Sequence, residues 1–257
     1  MTEATEILIT TQIQAGVAYL TLDRPPLNVL NIPMLQQLEA ALDQLSRDQS
    51  VRTLVLNAKG KIFSAGVDVA DHTADKVDLM IPLVDRVCQA LAELPIPTVA
   101  AVHGHALGGG CELVLCCDLA VMAEEASIGQ PEVHLAALAP VAALRLPYLV
   151  GYRAAADLMF TGRRLGAQEA HRMGLVNAVV PQDQLSARVE ETALELTRLS
   201  RAALSLVKKA LHLGYGAWTR SMPEMEQLYL QDLMNTADAH EGLAAFMAKR
   251  SPNWEHK

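Results

Sequence analysis

Up to about residue 182 the chain alternates short β-like apolar runs with longer stretches of helical spacing, and this alternation constrains its fold most. The runs are VAYLTL (17–22), TLVLN (53–57), TVAAV (98–102), LAVMA (119–123) and LVNAVV (175–180). Between them, IPMLQQLEAALDQLSRD (32–48) places Met34, Leu35, Leu38, Ala41, Leu42 and Leu45 at helical spacing, with Pro33 near its start. VDLMIPLVDRVCQALAEL (77–94) continues in the same way, and PIP at 95–97 stops it. Strands alternating with helices predict an α/β fold. Beyond residue 182 only helical patterns remain, at 183–199, 200–213, 221–235 and 238–248. The expected division is an α/β core over 1–182 and a helical region over 183–257.

Composition narrows the function classes. Hydrophobic residues make up 51% of the 257 and aromatics only 4%, so the core is built mainly from Ala, Leu and Val, and the composition argues against disorder. A formal charge of −8 without a basic stripe argues against nucleic acid and anionic lipid as partners. The N-terminus lacks the basic-then-apolar order of a signal peptide, and charged or glycine residues interrupt the most apolar region, 98–123. Cys88, Cys111, Cys116 and Cys117 have no C-x-x-C spacing and sit among apolar neighbours. His103, His105 and His134 have no companion ligands at metal spacing. The expectation is a cytoplasmic protein with reduced thiols and no metal.

Three segments carry the chemistry. GKIFSAGVDV (60–69) follows a strand and forms a tight turn at 63–66, where Gly66 lets a ligand approach the main chain. HALGGGCELVLCCD (105–118) sets Gly108, Gly109 and Gly110 before Glu112 in otherwise apolar sequence. If a helix begins near Cys111, free amides at its start attract developing negative charge. ASIGQPEVHLAALAPVAALRLP (126–147) holds a second carboxylate, Glu132, again followed by apolar residues. Each segment alone has an ordinary reading as a turn, a packing glycine or a solvated glutamate. Two glutamates 20 positions apart with a β-like run between them can face one pocket if that run folds back.

Taken together and in order, these segments resemble the enoyl-CoA hydratase/isomerase (crotonase) superfamily. The likeness runs from VAYLTLDRPPLNVLNIPMLQQL through IFSAGVDV, HGHALGGGCEL and IGQPEVHL to LMFTGRRLGAQEAHRMGLVNAVVP and AFMAKRSPNW. It implies a crotonase-type spiral of β-β-α units with a helical C-terminal region that builds homotrimers, often paired into hexamers. It implies an acyl-CoA thioester substrate, with coenzyme A as part of the substrate and no separate bound cofactor. The family's motif puts oxyanion-hole amides on Ala65 and Gly109, and the hydratase carboxylates on Glu112 and Glu132. It puts CoA contacts at Arg24, along Ala65, Gly66, Val67 and Asp68, and at Lys249 or Arg250 reaching a neighbouring subunit's ligand. The lysine usual shortly after RP is missing, since a second proline, Pro26, follows Pro25.

Having both glutamates favours hydration over isomerisation or decarboxylation of a CoA- or carrier-bound acid, reactions that could lose Glu132 with less effect. A non-enzymatic, RNA-binding homologue is the reading from another class, and the acidic balance opposes it. LAALAPVAALRLP lacks the glycines that usual hydratases carry after GQPE. With FSAGVDVADHTADKVDLMI it is similar to the cyclohexa-1,5-diene-1-carbonyl-CoA hydratases of anaerobic aromatic degradation. Leu138, Pro140, Val141 and Leu144 would then stiffen an acyl pocket completed by His72, a wall suited to a compact ring.

Overall fold

The computed structural model describes residues 6–215 and 217–255. Strand β1 (Ile9–Gln14) turns through Ala15 and Gly16, both at positive φ, into an antiparallel β2 (Val17–Leu22). Sequence inspection misses β1 because only Ile9 of its six residues is buried, as befits an edge strand. Helix α1 (Ile32–Arg47) starts where the Asn31 side chain accepts from the Met34 amide at 3.1 Å, and it buries Met34, Leu35, Leu38, Leu42 and Leu45. Then come β3 (Thr53–Ala58), α2 (Val77–Glu93) and β4 (Thr98–Val102). All five residues of β4 are buried, which is why it reads as an unbroken apolar run.

Next come β5 (Ala106–Leu107), α3 (Gly109–Cys116), β6 (Leu119–Ala123) and β7 (Ser127–Gly129). Helix α3 begins two residues before the expected start at Cys111. After it lie α4 (Pro140–Val150), α5 (Tyr152–Thr161), β8 (Arg164–Gly166), α6 (Ala167–Arg172) and β9 (Ala178–Val180). Strand β9 is shorter than the run 175–180: Gly174 turns at positive φ, Leu175 and Val176 plug the core, and the Asn177 side chain accepts from the Ala120 amide. Two sheets result. The larger has the order β1-β2-β3-β4-β6-β9, parallel beyond β2, and the smaller has the order β5-β7-β8.

After Val180 the described chain is helical: α7 (Leu185–Thr197), α8 (Arg201–Tyr215), α9 (Ala217–Arg220), α10 (Met222–Gln227) and α11 (Ala237–Met247). A π-helical segment, Leu228–Leu233, interrupts the helix expected over 221–235. Helix α7 packs on the large sheet, whereas α11 crosses over the short 3₁₀ turns at Val69–Asp71 and Glu132–Leu135. Gly242 makes that crossing close, because a side chain there would collide with the Leu135 carbonyl. The C-terminal helices thus roof the segments that carry the chemistry. No helix among the described residues is long and apolar enough to cross a membrane.

Candidate active site

A web of buried hydrogen bonds sets the turn after β3. Asn28, fully buried, donates to the carbonyls of Lys59 and Ile62, and Ser64 Oγ donates to the Asn28 carbonyl at 2.7 Å. The Phe63 and Ser64 amides donate to the His105 carbonyl, and the Leu107 amide donates to the Ser64 carbonyl. Gly66, at φ +105°, passes its carbonyl to the Leu30 amide. The chain is then committed residue by residue. The Ala65 amide donates to the Leu27 carbonyl at 2.9 Å, and the Gly66 amide donates to Ser64 Oγ.

This corrects the expected oxyanion donor, because Ala65 has no free N–H to offer. The next amide, that of Val67, has no acceptor among the described residues, nor has that of Gly109 in the first turn of α3. The two lie together: a Cβ placed on Gly109 would press on Val67 Cγ2 and stand 3.4 Å from the Val67 nitrogen. Both residues line one cavity of about 450 Å³.

Each glycine of the triplet now has its own reason. Gly108, at φ +55°, lies under the Glu132 carboxyl, and any side chain there would overlap Glu132 Oε1. Gly109 leaves the space beside Val67 open, and Gly110 packs directly against Ser64. The two glutamates line the same cavity. Glu112 projects from α3 and is 2% exposed; its Oε1 accepts from the Ala142 amide at 3.0 Å, at the N-terminus of α4. Burial pushes its pKa up to about 7 against the pull of the Ala142 and Val141 amides. Glu132 stands in the 3₁₀ turn Glu132–Leu135, and its Oε2 is buried without a partner among the described residues. Burial first, then the charge of Glu112, pushes it up to about 8.

Other expected residues divide into those that meet the cavity and those that do not. Gly66, Val67, His72, His134, Leu138 and Pro140 line it. His72 Nδ1 is 2.9 Å from the Asp68 carbonyl, and burial pushes its pKa down, so the ring is neutral near pH 7. Val141 does not line the cavity; its side chain is fully buried, and only its amide turns toward Glu112. Leu144 faces a separate hollow beside Ser221 and Leu228. Arg24 is engaged within the chain, donating to the Val29 carbonyl at 2.9 Å and standing 3.4 Å from Asp68. Asp68 caps the Val69–Asp71 turn and does not line the cavity. Lys249 is exposed and away from it, and Arg250 forks onto Glu241 at 2.6 and 2.8 Å. His103 bonds the Gly60 carbonyl and His105 bonds Ser127, and the described residues hold no metal-ligand cluster.

Sequence reading missed three groups. Tyr229 and Arg164 line the cavity, the first from the π-helical segment and the second from β8. Asp85, on α2, is 3% exposed, and the hydrogen bond it makes is with the neighbouring Glu226 carboxyl, which requires a proton between the two. Burial, then the charges of Glu112 and Glu226, pushes it up to about 9. An aspartate at an apolar-facing position of a helix, V-D-R-V-C, was the one available signal for it.

Comparison with known proteins gives a consistent result. The family model described as Enoyl-CoA hydratase/isomerase matches residues 12–257. A probable enoyl-CoA hydratase of Mycobacterium bovis is 35% identical over 246 residues, covering 94% of this chain and 95% of its own. A cyclohexa-1,5-dienecarbonyl-CoA hydratase of Thauera aromatica is 34% identical over 239 residues, covering 93% and 92%. Among solved structures, an enoyl-CoA hydratase from Mycobacterium avium subsp. paratuberculosis superposes with a TM-score of 0.88 at 27% identity, covering 96% of this chain and 98% of that one. An enoyl-CoA hydratase/isomerase from Pseudoalteromonas atlantica gives 0.85 at 31% identity, covering 96% and 100%.

Proposed function

Since the chain belongs to the enoyl-CoA hydratase/isomerase family and is an enoyl-CoA hydratase-type lyase, we propose that it hydrates a compact, cyclic unsaturated acyl-CoA with Glu112, Glu132, Val67 and Gly109. The observation that carries this reading is one cavity holding two unequal carboxyls and two unpaired amides.

The amides of Val67 and Gly109 take the thioester oxygen. As water adds at Cβ, electron density moves to that oxygen, and each donor aimed there is worth about 3 kcal/mol. Glu112, held by the start of α4, is the member kept toward the ionised form, and it accepts the proton of the attacking water. Glu132, with a free oxygen and the higher pKa, delivers its proton to Cα. Water's proton on Glu112 and the proton lost by Glu132 balance, and exchange with solvent resets the pair. The thioester arm runs past Ala65, Gly66 and Val67, where the main chain borders the cavity. Arg24 and Asp68 support that turn, and Lys249 has no part in the same subunit's pocket.

The ring preference rests on the walls. Met80, Ile81, Val84, Leu138, Pro140 and Leu243 give an apolar lining, and residues 131–147 contain no glycine that would soften it. Such a wall holds a flat ring in one orientation and obstructs a long alkyl tail. The test is kcat/KM for cyclohexa-1,5-diene-1-carbonyl-CoA, crotonyl-CoA and trans-2-decenoyl-CoA under identical conditions. We expect the ring to lead by more than about tenfold, the scale of a 1–3 kcal/mol pocket difference. If decenoyl-CoA or crotonyl-CoA leads, the ring assignment fails. The exposed Leu206, Val207, Leu211 and Leu213 on α8 support assembly into a homo-oligomer, which light scattering checks.

A further inference from the structure

Tyr229 is a tyrosine that lines the cavity of the hydratase chemistry proposed above and that this chemistry has not used. The π-helical segment Leu228–Leu233 carries it, a helix type that concentrates at functional positions. The residue is 1% exposed and lines the cavity shared by Glu112 and Glu132. Its hydroxyl has no hydrogen-bond partner among the described residues, although a buried tyrosine O–H ordinarily finds one. Glu132 lines the same cavity, and its Oε2 is buried without a partner among the described residues. One is a donor and the other an acceptor or acid. An oxygen that accepts from the phenol and donates to a carboxylate satisfies both, and a water or product hydroxyl has that chemistry. Burial, then the charges of the neighbouring carboxylates, keeps the phenol protonated well past neutral pH, so it acts as a donor and never as the base.

We propose that Tyr229 is a third catalytic residue, whose hydroxyl donates to the oxygen that adds to the substrate double bond and aims its other lone pair at Cβ. This rests on the hydratase reading. During addition the C–O bond forms, Glu112 takes the proton from that oxygen, Glu132 protonates Cα, and Tyr229 keeps its own proton throughout. In dehydration the same O–H supports the departing oxygen.

Tyr229→Phe in the full chain removes only the hydroxyl. Two readings are taken: hydration of cyclohexa-1,5-diene-1-carbonyl-CoA and crotonyl-CoA, and exchange of the α-protons of butyryl-CoA with deuterium oxide, followed by proton NMR. Exchange uses the oxyanion amides and a carboxylate but no attacking water. The expected result is a fall in hydration kcat of roughly 10–100-fold with little change in KM, while exchange stays within about twofold. Hydration within about twofold of wild type, or an equal fall in both reactions, overturns the proposal. A wild-type protein that exchanges α-protons yet hydrates neither thioester removes the hydratase reading and this proposal together.

Discussion

Glu112 and Glu132 face one cavity from two unlike pieces of chain. Glu112 belongs to a regular helix inside the core, and the amides at the start of α4 hold its carboxylate. Glu132 belongs to a single 3₁₀ turn, leans over a glycine, and leaves one oxygen unpartnered. Hydrogen bonds to the charged form oppose the burial of the first, while nothing comparable opposes that of the second except its own turn. The lesson is that unlike support sets unlike proton affinities on one residue type, which is what the proposed division into base and acid requires.

Removing either carboxylate breaks that comparison most severely. Glu112→Gln and Glu132→Gln should each lower kcat by roughly 10²–10⁴, the span of general acid–base groups. The double variant should lose far less than the product of the two, because the pair acts as one unit. Single-turnover and steady-state rates on the preferred thioester give the answer, and near wild-type turnover in either single variant would sink the assignment.

A subtler change displaces one carboxyl and leaves the other. Gly108→Ala puts a methyl group where Glu132 Oε1 lies, at a positive φ that disfavours any side chain. Misplacing a catalytic group by about 1 Å costs about 10² in rate, so kcat should fall by that order. Adding Glu132→Gln to Gly108→Ala should then cost little more, whereas adding Glu112→Gln should cost more than that.

The two halves of the comparison were unequally legible in the sequence. Glu112 and Glu132 stood out because carboxylates in apolar runs are costly, and α1 and α2 emerged within a residue of their ends because their periodicity is local. Three features were hidden for physical reasons. Which amide of the turn is free, Val67 rather than Ala65, depends on a hydrogen bond to Leu27 across a loop that sequence does not orient. Val141 and Pro140 differ by one position, and only the direction of the first turn of α4 decides which meets the cavity. Tyr229 reaches the glutamates only after the C-terminal helices fold back, and strands of two or three residues such as β5, β7 and β8 carry too little pattern to see.

The pH profile sharpens the comparison without a mutation. The proposed mechanism needs Glu112 ionised and Glu132 protonated. With values pushed up to about 7 and about 8, kcat/KM should rise through the lower and fall through the higher, giving a narrow bell that belongs to the pair. In Glu132→Gln the alkaline fall should vanish while the acid rise stays. If the acid limb disappears instead, the two roles are reversed.

Asp85 extends the comparison to a carboxyl that burial raises but that does not line the cavity, so its replacement should have the smallest effect on activity. Its value of about 9 stands far above the 3.8 of an unburied aspartate. Between those pH values the folded chain holds a proton there that the unfolded chain has released, so this group's contribution to stability shrinks as pH rises toward 9. Asp85→Asn removes that loss while nearly keeping the volume. The melting temperature of the variant, relative to wild type, should therefore climb between pH 5 and pH 8, at about 2–4 °C for each 1 kcal/mol gained in a chain of this size. Hydration near neutral pH should hold, since a protonated Asp85 places no charge beside Glu112. A melting difference that stays flat with pH would mean that Asp85 is ionised in the folded protein. The acid limb of the rate profile would then have to move when it is replaced, because a nearby negative charge disfavours the ionised form of Glu112.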